Sequence, residues 1–218
     1  MLTSAHLQAA TVLHGRLGHS WGDADRGLDG LRFHFPSNVD RSDVLVKAAA
    51  VDKLYSTRAG NIYWVANAIT DVFSRMDESA TDVELVDAIS AAKRRLYPGS
   101  DRCHSFASKY CHFFVSTSRF PIFDSFALAA VNNVLGGRQR GLARDRSAYG
   151  DFFERIARLR EHHLACDASV RELDRYLWLW GQWLAQSGKT RRVVNSDVYT
   201  LFTSKESAVK AQVGRLLP

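Results

Sequence analysis

Hydrophobic positions recur at steps of three and four along nearly the whole chain, the spacing of one face of an α-helix. The pattern is clearest in "DASVRELDRYLWLWGQWLAQSGK", where Val170, Leu173, Leu177, Trp180 and Leu184 keep step. Ser169 and Glu172 form a capping box at its start, and Gly188 stands where such a helix stops. "ATDVELVDAISAAKRRLYPG" repeats the arrangement, with Thr81 and Glu84 at the start and Pro98-Gly99 as the stop. Its apolar residues Val83, Val86, Ile89 and Leu96 lie on or near one face. "DRSDVLVKAAAVDKLYST" and "GNIYWVANAITDVFSRM" predict a helical pair broken near Gly60. The opening "MLTSAHLQAATVLHGRLGHS" sets His and Arg inside its apolar pattern and predicts an amphipathic helix rather than a signal peptide.

Only "GLRFHF", residues 30 to 35, alternates in the manner of a strand. One short alternating run does not make a sheet. The pattern therefore predicts an all-α fold of about nine or ten helices, two-lobed with a cleft, with irregular structure at about 20–40 and 136–147. "LGGRQRG" is the most evident break. It divides a single unit, 1–218, into lobes of 36–136 and of 1–35 plus 137–218.

Composition narrows the classes. The 218 residues are 46% hydrophobic, with 12 Phe, 7 Tyr and 5 Trp, enough to build a core without staples. No apolar run approaches the ~18 residues that a membrane span needs, so no membrane partner is expected. Three cysteines, Cys103, Cys111 and Cys166, make no disulfide framework, and the reducing cytoplasm is the default setting. The Cys-His pairs at 103–104 and 111–112 match no tight zinc spacing, and no metal is expected. Nothing resembles a phosphate loop, a Ser-His-Asp order or a zinc-hydrolase helix, and no cofactor is implied.

The net charge of +6 permits a polyanionic partner. Seven arginines fall between Arg138 and Arg160, against three acidic residues. A second cluster, "GKTRRVVNS", holds Lys189, Arg191 and Arg192. Charge runs are commonly solvated faces, but the guanidinium fork suits phosphate oxygens. Arg138, Arg140, Arg144, Arg146, Lys189, Arg191 and Arg192 are accordingly the candidate DNA contacts.

One segment carries candidate chemistry. "SFASKYCHFFVSTSRFPIFDSF" sets Lys109 on the apolar stripe of Phe106, Tyr110, Phe113 and Phe114. A lysine there either snorkels to solvent or lies in a dry pocket, where desolvation favours the nucleophilic free amine. Periodicity alone favours snorkelling. Asp124 follows "FPIF" and precedes a new apolar pattern, which places it at a helix N-cap. A carboxylate there is also held ionised by the helix dipole.

These elements resemble the helix-hairpin-helix DNA glycosylase superfamily, and most closely the archaeal type of 8-oxoguanine DNA glycosylase. Phe106-Ala107-Ser108-Lys109 is similar to that family's "FAxK" element, and Phe120-Pro121-Ile122-Phe123-Asp124 to its "IPIPxD"-like element. The resemblance is specific over some 20 residues and extends more loosely to "KLYSTRAGNIYWVANAI". It implies that Lys109 attacks the sugar of an extruded nucleotide and that Asp124 stabilises the charge developing there. A monomeric bifunctional glycosylase and AP lyase acting on a modified base in DNA is then expected. Tyr55, Ser56 and Thr57 are the wedge candidates that would fill the emptied stack. The family's Gly-x-Gly hairpin is replaced by "YPGSDRCHSF", with Gly99 alone. The alternatives are a non-catalytic helical DNA-binding module and a protein-interaction domain.

Overall fold

A computed structural model describes residues 2–77, 79–96, 103–136, 147–163, 167–190 and 192–217. The fold is all-α, with eleven α-helices and no β-strand among the described residues. No helix among them is long and apolar enough to cross a membrane. The chain divides into two compact units. One comprises Ala24–Phe123 and Ser147–Gly150; the other comprises Met1–Asp23, Asp124–Arg146 and Asp151–Pro218. The expected lobe edges near 36 and 136 follow composition, whereas the divisions at 23–24 and 123–124 follow packing.

The Ala24–Phe123 unit is built on α2 (Asp23–His34), α3 (Arg41–Tyr55), α4 (Ile62–Arg75), α5 (Asp82–Leu96) and α6 (His104–Phe114). Asp40 caps α3 by accepting from the Ser42 and Asp43 amides, and Asn61 caps α4 through Tyr63 and Trp64. The break at Gly60 is as expected. It is tightened by Ser56 and Arg58, both held at positive φ (48° and 55°). Asp52 pins this turn, accepting at Oδ1 from the Thr57 hydroxyl (2.6 Å) and the Ala59 amide (2.8 Å). α5 begins with the expected capping box, the Thr81 amide and hydroxyl both donating to Glu84 at 2.8 Å. α3 packs on α4 and α6, and α5 packs on α4 and α6.

The irregular stretch expected at 20–40 is instead largely helical: a π-helical turn at Gly18–Gly22 runs into α2. The alternating "GLRFHF" belongs to α2, because Ala24 and Leu28 bury one face at a spacing of four. Phe33, within that run, stays 80% exposed. The expected loop at 136–147 lies mostly outside the described residues, as do Pro98 and Gly99.

The other unit contains α1 (Ser4–Arg16), α7 (Ser125–Val134), most of α8 (Ala148–His163), α9 (Val170–Gln186), α10 (Ser196–Phe202) and α11 (Ser207–Leu216). α9 packs on α1, α7 and α10, so its apolar stripe becomes core, with Leu173, Tyr176, Leu177, Leu179, Trp180 and Leu184 all buried. The Ser169–Glu172 capping box forms as expected. Gly188 adopts φ 74°, and the Lys189 amide then reaches back to the Leu184 carbonyl at 2.9 Å, closing the helix.

Candidate functional site

α6 is a buried helix on every side. Each residue from Phe106 to Phe114 is buried, which a helix tolerates only when its polar side chains find partners. Ser108 Oγ accepts from the Phe123 amide at 3.0 Å, and His112 Nδ1 meets the Phe120 carbonyl at 2.8 Å. Tyr149 adds a hydroxyl bond to the Pro121 carbonyl at 3.3 Å. The "FPIF" segment is thus laid along α6 and anchored at three places. At the helix start, His104 Nε2 meets Asp87 Oδ1 at 3.1 Å.

Lys109 is 4% exposed, so it does not snorkel as periodicity favoured. The correction has a physical cause: α6 is enclosed within its unit from Phe106 to Phe114, and it is open to water only in its first turn, at Ser105. The amine donates to Ser105 Oγ, one turn back, at 3.0 Å. It also lies 5.6 Å from the centroid of the Tyr55 ring. Ser105 is only half-buried, so the amine sits beneath a residue that water reaches.

The wedge candidates take different places. Tyr55 is the last residue of α3; its hydroxyl donates to Asp25 Oδ1 at 2.8 Å and its ring lies 5.6 Å from that of Phe113. The Thr57 hydroxyl is bound to Asp52. Ser56 alone of the three is exposed, in the left-handed conformation. The structure therefore brings Tyr55 to Lys109 and leaves Ser56 at the tip of the turn.

Asp124 opens the other unit. It is the N-cap of α7, with Oδ1 accepting from the Phe126 and Ala127 amides, each at 2.9 Å. This is the expected cap, and the side chain is half-buried. Among the candidate DNA contacts, Lys189 and Arg192 are exposed, and the Arg192 guanidinium lies 5.9 Å from the Phe126 ring. Arg138, Arg140, Arg144, Arg146 and Arg191 lie outside the described residues. Cys103 and Cys111 are buried free thiols, and burial pushes the Cys111 thiol well above its ordinary range.

A second buried lysine went unnoticed in the sequence. Lys47 is 1% exposed; its amine donates to the Ser37 carbonyl (2.7 Å) and to Asn38 Oδ1 (2.8 Å). The rings of Tyr110 and Phe114 flank it at 5.9 and 5.3 Å. The signal was present: Val44, Lys47, Ala48 and Val51 follow the same spacing that exposes Lys109 to suspicion. Desolvation lowers the Lys47 amine to about 8, partly opposed by Asp43. The unfolded chain then holds this proton up to the ordinary lysine range while the folded chain releases it earlier. Stability gained from this group therefore rises as pH increases from about 8 to 10.5. Melting temperatures of the wild type, taken relative to Lys47→Met across that window, should climb with pH. Parallel curves would mean the amine keeps its proton in the fold.

Residues 11–118 match the family described as HI_0787_N, an N-terminal domain. The likeness covers just under half of the chain. The matched span contains Lys47, Tyr55, Ser105 and Lys109, and it ends before Asp124. No curated protein and no solved structure matches the chain significantly.

Proposed function

We propose that the protein is a DNA glycosylase with AP-lyase activity, using Lys109 as the nucleophile and Asp124 as the electrostatic partner. The observation that carries the reading is the Lys109 amine itself, desolvated at 4% exposure yet held by a half-buried serine. A dry amine is a better nucleophile than a hydrated ammonium, and imine chemistry requires the neutral form to attack.

In this reading the neutral amine attacks C1′ of an extruded nucleotide. The glycosidic bond breaks, and its electron pair leaves with the base, which takes a proton from solvent. The new C–N bond's nitrogen sheds a proton; its lone pair then opens the C1′–O4′ bond, and the oxygen takes a proton. The product is an iminium cation at C1′. Loss of a C2′ proton and expulsion of the 3′ phosphate cleave the strand. Asp124 serves the positive charge that grows on the sugar as the base departs.

The cap geometry separates the two roles of Asp124. Asparagine caps a helix about as well as aspartate, so Asp124→Asn should leave the melting temperature nearly unchanged. It removes the negative charge, and base release should slow by about 10²- to 10³-fold. Single-turnover release of bases from a panel of base-modified duplexes, with strand nicks read in parallel, tests both halves. An Asp124→Asn protein as fast as wild type would reduce the carboxylate to a cap.

A further inference from the structure

We infer that Tyr55 is an aromatic support for the positive charge carried on Lys109 Nζ during the reaction, rather than a wedge in the DNA stack. The inference rests on Lys109 being the imine-forming residue.

Three features of Tyr55 meet at this point. Its ring centroid lies 5.6 Å from Nζ, inside the ~6 Å reach of a cation–π contact. Its hydroxyl is committed to Asp25 at 2.8 Å, and Phe113 backs the ring at 5.6 Å with the planes tilted by 34°. Its backbone ends α3 immediately before the turn that Asp52 pins. Both ends of the side chain are thereby fixed. A residue so tied is poorly suited to swing outward into DNA and well suited to present one face steadily.

The chemistry explains why a ring, rather than a carboxylate, suits that place. Imine formation leaves a cation shared between Nζ and C1′. A carboxylate against Nζ would hold the amine as its ammonium, which cannot attack. The face of an aromatic ring supports a cation on the nitrogen without a full negative charge beside it. The surroundings of the amine are dry, with Lys109 at 4% and Phe113 at 1% exposure, and the interaction is stronger where water is excluded. Ser105 orients the amine from one turn below, its Oγ accepting from Nζ. The iminium therefore persists long enough for β-elimination.

The test uses a duplex with a single abasic site, which needs no knowledge of the target base. There the amine condenses with the sugar aldehyde, water leaves, and borohydride delivers hydride to the imine carbon. Position 55 is occupied in turn by tyrosine, phenylalanine, a phenylalanine fluorinated at three ring positions, and leucine. Fluorination keeps the shape of the ring and removes its negative face. Trapping with Tyr55→Phe should stay within about twofold of wild type, whereas the fluorinated ring and Tyr55→Leu should each slow it about tenfold. Affinity for the abasic duplex should be unchanged throughout. Equal trapping by the fluorinated and unfluorinated rings would overturn the inference while leaving the lysine mechanism intact. Absence of any adduct with the wild type would remove the lysine mechanism and this inference together.

Discussion

Lys109→Ala should abolish the borohydride-trapped protein–DNA adduct outright, with no residual fraction. The expectation follows from the identity of the bond: an imine needs a primary amine, and α6 carries no lysine besides Lys109. Lys47 is the other buried amine among the described residues, but it is committed to Ser37 and Asn38 and walled by Tyr110 and Phe114. Lys109→Met is the companion variant, because it keeps the stem's packing against the aromatic stripe and removes the nitrogen alone. Both variants should bind an abasic duplex nearly as tightly as wild type. On the proposed reading, phosphate contact would come from exposed basic residues such as Lys189 and Arg192 and not from a buried amine. A trapped adduct surviving in Lys109→Met would assign the chemistry to another residue.

The largest effect on stability should come from a glycine. Gly181 lies in the middle of α9, where glycine is about 1 kcal/mol worse than alanine on propensity alone. A Cβ there would stand 2.2 Å from the Phe126 carbonyl oxygen and 2.5 Å from its carbonyl carbon. Those are backbone atoms at the start of α7, so the neighbour has no flexible end to move aside. α7 and α9 are packed through this glycine, and Trp180 beside it donates to Asn133 at 3.2 Å across the same interface. Gly181→Ala should therefore destabilise the protein by about 3 kcal/mol or more despite its better propensity. A fall in melting temperature of about 10 °C is the corresponding reading. A melting temperature equal to or above that of wild type would show that α7 and α9 are further apart than described.

How much of this was legible beforehand depends on whether the physics was local. The caps were, because a cap is a matter of three or four consecutive residues. Ser169 with Glu172, Thr81 with Glu84, Asp124 before α7 and Gly188 after α9 all stand where the sequence pattern puts them. The depth of α6 was not. Periodicity reports which positions share a face, but it does not tell a half-buried helix from one enclosed on all sides. Ser108 and His112 look like surface residues until Phe123 and Phe120 are seen to satisfy them. The same blindness turned Lys109 outward in the sequence reading and hid Lys47 altogether. The stretch expected to be irregular at 20–40 differs for another reason: the alternation of Phe33 and Phe35 with polar neighbours masks the helical spacing of α2, in which Ala24 and Leu28 are buried and Phe33 is exposed. Tyr55 was singled out for its position in a turn, yet its partners, Asp25 and Lys109, lie far away in sequence. Only the fold brings them together.

The covalent role of Lys109 is open to one measurement that relies on no variant. Wild-type protein is incubated with an abasic duplex and borohydride, digested, and the peptide bearing the sugar remnant is sequenced by mass spectrometry. A single modified peptide spanning residues 103–119, with the added mass on Lys109, is the expected result. No adduct, or an adduct on a different lysine, would contradict it.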